Sequence, residues 1–288
     1  MSRPDVKAFF DAPTNTISYV ASDPRTRRCA VIDPVLNYDQ AAGRISTESA
    51  RRLIAYVREA GLQVDWIIDT HVHADHLTAA PFIRERLGGQ IGISEKISSV
   101  QEVFSDLFNE DHSFRTDGSQ FDHLFRDCET YRVGSITARA IHTPGHTPAC
   151  MSHVIGDAMF VGDTVFMPDF GTARCDFPGG DAGTLYDSVQ KLFTYPDETR
   201  VFVCHDYMAP GRDVYAWETT VGEQKRYNVH LRTGTSRDEF ISSRIARDTT
   251  LAMPKLILPS VQVNMRAGHM PEPEDNGRCY MKIPINAL

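Results

Sequence analysis

The chain has 288 residues, 41% apolar and 24% charged, ordinary proportions for a folded protein able to bury a full core. Its net charge of -8 excludes a partner that needs a generally basic surface, such as nucleic acid or an anionic membrane. No run approaches the ~18–20 apolar residues of a membrane span. The first ten residues lack the apolar core of an export signal. The six cysteines (Cys29, Cys128, Cys150, Cys175, Cys204 and Cys279) include no C-x-x-C pair. The expectation is therefore a cytoplasmic protein with free thiols.

In chain order, residues 9–20 and 28–33 read as strands joined by the turn Ser22-Asp23-Pro24-Arg25. Residues 47–60 read as an amphipathic helix, with Leu53, Ile54 and Val57 on one face and Gly61 as its stop. Residues 64–69 form the next expected strand, 78–87 a helix ended by Gly88-Gly89, and 90–93 a returning strand. The stretch 94–125 is polar and mixed. Its Val100-Phe104-Leu107-Phe108 pattern suggests a helix that caps the site. Residues 131–142 alternate like one strand, and 150–155 with 158–161 read as a hairpin turning at Gly156-Asp157. Residues 185–193 read as a helix and 200–204 as a strand. Beyond Val221 the pattern changes to a charged helical stretch (237–247) and Pro-rich segments. This divides the chain into a catalytic region, 1–220, and an extension, 221–288, packed on the same domain. Strand pairs followed by helix-strand units predict an α/β fold of packed sheets with outer helices.

Five of the eleven histidines fall where metal chemistry is expected. Thr70-His71-Val72-His73-Ala74-Asp75-His76 follows an apolar strand and gathers three imidazoles and a carboxylate. Burying three imidazoles has a cost that a metal offsets, and these are ligands that zinc, iron and manganese accept. His142-Thr143-Pro144-Gly145-His146 uses Pro and Gly to turn a histidine out of a strand end. Phe160-Val161-Gly162-Asp163 and Val201-Phe202-Val203-Cys204-His205 end two more apolar strands in a carboxylate and an imidazole. A lone instance of either is usually structural. The four together, in this order, point to one metal centre.

This set resembles the metallo-β-lactamase superfamily, and the resemblance implies an αββα sandwich of two packed mixed β-sheets flanked by helices. In that family's dinuclear pattern, His71, His73, His146 and Asp163 form one site. Asp75, His76 and His205 form the other, sharing Asp163. The loop Gly171-Thr172-Ala173-Arg174-Cys175-Asp176-Phe177 looks like that of the persulfide (sulfur) dioxygenases. Asp33-Pro34-Val35, His205-Asp206-Tyr207 and the tail Leu258-Pro259-Ser260-Val261-Gln262-Val263-Asn264 match the same branch, the tail most like its bacterial β-lactamase-like subgroup.

The branch implies one Fe(II) per chain, held by His71, His146 and Asp163. His73, Asp75, His76 and His205 then orient ligands and waters, although they also suffice for a second metal. The implied reaction oxidises glutathione persulfide with O2 and water to sulfite and glutathione. The implied substrate-side residues are Arg174, Asp176 and Tyr207. Arg174 either binds a substrate carboxylate, orders the pocket or pairs with Asp176. Tyr207 either donates near Asp163 or the bound sulfur, or packs as an aromatic. The animal enzymes carry a cysteine two residues before the loop arginine; here that position is Thr172. The alternative is a dinuclear zinc hydrolase of the glyoxalase II type. A homo-oligomer is expected, most commonly a dimer.

Overall fold

A computed structural model describes residues 3–111 and 113–287. The strands are β1 (Asp5–Asp11), β2 (Thr16–Ser22), β3 (Arg28–Ile32), β4 (Val35–Asp39), β5 (Arg44–Ser46), β6 (Gln63–Ile68), β7 (Leu77–Thr78), β8 (Gln90–Ser94), β9 (His123–Phe125), β10 (Thr130–Val133), β11 (Ile136–His142), β12 (Met151–Ile155), β13 (Ala158–Phe160), β14 (Arg200–Phe202) and β15 (Glu218–Thr220). The helices are α1 (Glu48–Glu59), α2 (Ala80–Leu87), α3 (Ile97–Leu107), α4 (Ala182–Leu192), α5 (Val221–Tyr227), α6 (Arg237–Asp248) and α7 (Ile257–Asn264).

Two mixed six-stranded sheets result, in the orders β1-β2-β3-β6-β8-β9 and β10-β11-β12-β13-β14-β15, with β5-β4-β7 as a small third sheet. Alternation along each strand sorts side chains between layers. Ile17, Tyr19, Ala30, Ile32 and Ile68 of the first sheet meet Ala138, Ala140, Ile155, Phe160 and Phe202 of the second in a central core. Their neighbours Val20, Val31 and Ile67 face outward and are covered by α1, α2, α3 and α7. On the other side, Val154, Met159, Val201 and Val203 are covered by α4, α5 and α6. This is the αββα sandwich.

Several expected elements divide or shift. The stretch 9–20 is a hairpin, because Pro13-Thr14-Asn15 turns the chain and Asn15 takes φ 56°. The stretch 131–142 is also a hairpin, β10 and β11, turning at Gly134-Ser135. Thr78 belongs to β7, and α2 begins at Ala80. α4 starts at Ala182, because Asp181 accepts the Thr184 backbone N–H at 2.7 Å as its N-cap. α3 occupies the polar stretch as expected. Its buried Ile97, Val100 and Phe104 join the first core, and among the described residues none of its side chains hydrogen-bonds the histidine run. Two helices of the extension, α5 and α7, had no expected counterpart.

The six cysteines are free, with Cys128 and Cys279 exposed. Among the described residues no helix is long and apolar enough to cross a membrane.

Candidate metal centre

The ligand-bearing loops leave β6 in the first sheet and β11, β13 and β14 in the second, so the site straddles the adjoining edges of both sheets. Backbone hydrogen bonds close that seam. Ile17 donates to the Cys204 carbonyl at 2.7 Å, and Met151 donates to the Thr70 carbonyl at 2.9 Å.

Two glycines place ligands. Gly145 has φ 137°, and a Cβ there would lie 2.4 Å from Leu185 Cα at the start of α4. Only glycine lets the turn pass this close while presenting His146. Gly162 has φ 51°, and its Cβ would fall 2.5 Å from Thr70 Oγ1, so the turn to Asp163 also needs glycine.

His71, His146 and Asp163 converge: one ligand atom from each lies within 4.8 Å of the others, and all three residues are buried. Asp163 Oδ2 is 3.9 Å from His71 Nε2 and 3.6 Å from His146 Nε2. Its Oδ1 is 3.3 Å from His205 Nε2, which lies 3.5 Å from Asp75 Oδ2. His73, Asp75 and His76 form an adjoining group. All seven residues expected from the sequence are therefore assembled at one place.

Among the described residues, His71 Nε2, His73 Nδ1, His76 Nε2, Asp163 Oδ1 and His205 Nε2 are buried without a hydrogen-bond partner. Five buried polar atoms without partners, spread over two adjoining groups, are costly as they stand and fit bound cations. The opposite ring atoms are accounted for. His146 Nδ1–H donates to the Arg174 carbonyl at 2.8 Å. A carbonyl only accepts, so this contact fixes the tautomer and leaves the Nε2 lone pair toward Asp163. His73 Nε2–H donates to Asp33 Oδ1 at 2.9 Å, which leaves its Nδ1 free. His71 Nδ1 is 3.0 Å from Thr70 Oγ1, and Thr70 donates to Asp33 through both its N–H and its hydroxyl. The Thr16 hydroxyl lies among Asp75, His76 and His205 at 3.2–3.4 Å.

Burial, then the charge of His73, holds His71 well below its ordinary value, and burial, then the charge of His76, does the same to His73. Both rings therefore stay neutral with lone pairs available to a metal. Burial alone would raise the Asp75 carboxyl, but the His205 and His76 rings outweigh it and hold it well below the usual carboxylate range. Burial, then Asp33, pushes the Cys204 thiol up, so it stays protonated beside the cluster.

The residues expected on the substrate side make the following contacts within the protein. Arg174 is locked in a fork on Asp176, Nε to Oδ1 at 2.5 Å and Nη2 to Oδ2 at 2.6 Å, and its Nη1 donates to the Ala252 carbonyl at 2.7 Å. Three of its N–H groups tie the loop together. Tyr207 is exposed. Its ring lies over His205 with centroids 5.6 Å apart, and packs on Phe166 and Phe170. Among the described residues its hydroxyl has no hydrogen bond to Asp163.

Sequence reasoning missed the braces. Thr16 carries no local signal, and Thr70 and Asn264 were legible only as the ends of the histidine run and of the tail match. Asp33 was legible only as part of the Asp33-Pro34-Val35 match. The buried pair Arg244 and Asp248, 2.6 Å apart on α6, holds the arginine loop from behind: Asp248 accepts the Cys175 N–H at 2.9 Å, and Arg244 donates to the Thr172 carbonyl.

A family model described as the metallo-beta-lactamase superfamily matches residues 13–205. A probable metallo-hydrolase of Burkholderia pseudomallei is 53% identical, over 98% of this chain and 99% of the relative. Glyoxylase B2 of Dictyostelium discoideum is 47% identical, over 98% and 97%. The human mitochondrial persulfide dioxygenase ETHE1 is 32% identical, over 91% and 88%. The crystal structure of ETHE1 from Myxococcus xanthus superposes with a TM-score of 0.72 at 34% identity, covering 92% of this chain and all of that one.

Proposed function

The chain belongs to the metallo-beta-lactamase superfamily, and within it we propose that this protein is a cytoplasmic persulfide dioxygenase. The reaction proposed is oxidation of glutathione persulfide by O2 and water to sulfite and glutathione, at one Fe(II) per chain held by His71, His146 and Asp163. The observation that carries this reading is the convergence of those three side chains as a two-histidine, one-carboxylate group, a donor set that leaves iron open positions. The likeness to the ETHE1 proteins over nine-tenths of the chain supports it.

When bound, iron supplies the redox chemistry that lets O2 react with a sulfur compound. The chain's own residues do the rest. The Arg174 carbonyl holds the His146 tautomer, and Thr70 and Asp33 hold His71 and His73. Asp75, kept anionic, and the rings of His76 and His205 supply hydrogen-bonding groups next to the triad. Asp176 orders Arg174, Arg174 orders the loop, and Tyr207 lies over His205.

The test is O2 uptake by Fe(II)-loaded protein given glutathione persulfide, with sulfite measured. Stoichiometric uptake and sulfite, lost on chelation and restored by iron but not zinc, supports the reading.

A second reading, a dinuclear zinc hydrolase of the glyoxalase II type, is favoured by the orphaned His73 Nδ1, His76 Nε2 and His205 Nε2, enough donors for a second ion. The names glyoxylase and metallo-hydrolase of two relatives also support it. Two zinc ions per chain with cleavage of a glutathione thioester, and no O2 uptake, would establish it instead.

A further inference from the structure

We infer that Asn264, the last residue of α7, is the positioning residue that sets the geometry of the His73–His76 ligand loop. The inference rests on the second reading above, in which His73, Asp75 and His76 are themselves metal ligands. Asn264 is 3% exposed. Its Nδ2 donates to the carbonyls of both His73 and His76 at 2.8 Å, and its Oδ1 accepts the Thr78 N–H at 2.8 Å. One side chain thereby meets three backbone groups spread across the segment that carries His73, Asp75 and His76.

That segment lies outside any helix and reaches a strand only at β7. Its carbonyls at 73 and 76 therefore have no ladder of their own, and the carboxamide stands in for one. An amide offers two N–H donors and a carbonyl acceptor, and both its nitrogen and its oxygen are engaged here.

The mounting of Asn264 is independent of the ligands it holds. Val261, Val263 and Met265 on either side are buried in the first core. Gln101 of α3 donates to the Met265 carbonyl at 2.9 Å, and Arg266 pairs with Glu110 at 2.5 Å. A rigidly seated donor is what a ligand loop needs for its geometry to be defined before a metal arrives. The amide is also chemically specific. A carboxylate of the same shape keeps the acceptor for Thr78, but it sets oxygen against the oxygens of two carbonyls.

The experiment is titration of chelator-treated protein with Co(II), by chelator competition and by visible absorption. It compares wild type, Asn264→Asp, Asn264→Ala and Gln262→Ala. Gln262 anchors the same helix through Lys282 and Leu258 and touches no backbone group of the 73–78 segment. The expected result is a 10- to 100-fold loss of affinity, on the order found for residues behind metal ligands, with an altered Co(II) spectrum in both Asn264 variants. Gln262→Ala should lower Tm and keep both affinity and spectrum. Wild-type affinity and spectrum in Asn264→Asp would overturn the inference. An equal loss in Gln262→Ala would also overturn it, since the effect would then be helix docking in general. A wild type that takes up no Co(II) would instead overturn the metal reading beneath it.

Discussion

His146 donates its Nδ1 proton to the backbone carbonyl of Arg174, the residue whose side chain forks onto Asp176. The loop arginine thus reaches the metal centre through its main chain, while its guanidinium is held two residues away.

This relationship separates two roles for Arg174. If its guanidinium orders the loop, Arg174→Lys and Asp176→Asn should show the same defect. Both lose the two-pronged contact, both loosen the carbonyl that fixes His146, and both lower metal affinity and kcat together, by roughly tenfold. A guanidinium that binds substrate carboxylate would give a raised KM in Arg174→Lys with metal affinity intact. Steady-state kinetics beside metal titration distinguishes the two.

Metal binding should stabilise the fold strongly, because buried groups of His71 and Asp163 that have no partner gain one. At a thousandfold excess over Kd, linkage gives about 4 kcal/mol. Chelator-treated wild type should therefore gain several degrees in Tm when Fe(II) or Zn(II) is returned. His71→Ala and Asp163→Ala should keep the far-UV circular dichroism of a folded chain and lose that gain. An undiminished gain in either variant would remove that residue from the ligand set.

Gly145→Ala should be among the most damaging single-methyl changes in the protein. The new Cβ meets backbone atoms of Leu185, which cannot swing aside as a side-chain tip can. The left-handed φ adds strain of about 1–3 kcal/mol. Either α4 shifts or His146 is carried away from Asp163, so metal affinity should fall with stability. Gly211→Ala, where a Cβ meets open space, is the control. Equal metal affinity in the two variants would show that the turn does not aim the ligand.

His153 gives a pH dependence separate from the metal. It is fully buried beside Tyr131, and burial pushes it down to about 4. The unfolded chain takes up that proton near pH 6.5 while the folded protein refuses it until about pH 4. The unfolded state therefore binds more protons in this window, and stability falls as pH drops through it. Between pH 7.5 and 5 the loss is about 2 kcal/mol from this residue. Urea denaturation of His153→Gln should show a correspondingly shallower decline than wild type. Parallel declines would mean that the ring is not held neutral.

The centre was legible because its chemistry is concentrated. His71, His73, Asp75 and His76 fall in one run, and His146, Asp163 and His205 each follow an apolar strand, so type and spacing identify them. The sandwich was legible through strand alternation. Hairpins within that alternation were less so: β10 and β11 both alternate, and the two-residue turn at Gly134-Ser135 barely interrupts the pattern. α7 was not expected because Pro259 lies in a stretch that reads as Pro-rich. It falls in the first turn, where a backbone N–H has no intrahelical partner to lose. The roles of Asn264 and Asp33 are invisible locally, since each acts on backbone or rings far along the chain.

The separation between Asn264 and His73, 191 residues, also sets an order of events during biosynthesis. A ribosome adding roughly 5–20 residues per second releases the histidine run many seconds before the helix that braces it exists. A growing or prematurely terminated chain can present imidazoles but not their final arrangement. On the proposed metal reading, the final arrangement of these ligands is thereby deferred until α7 has emerged.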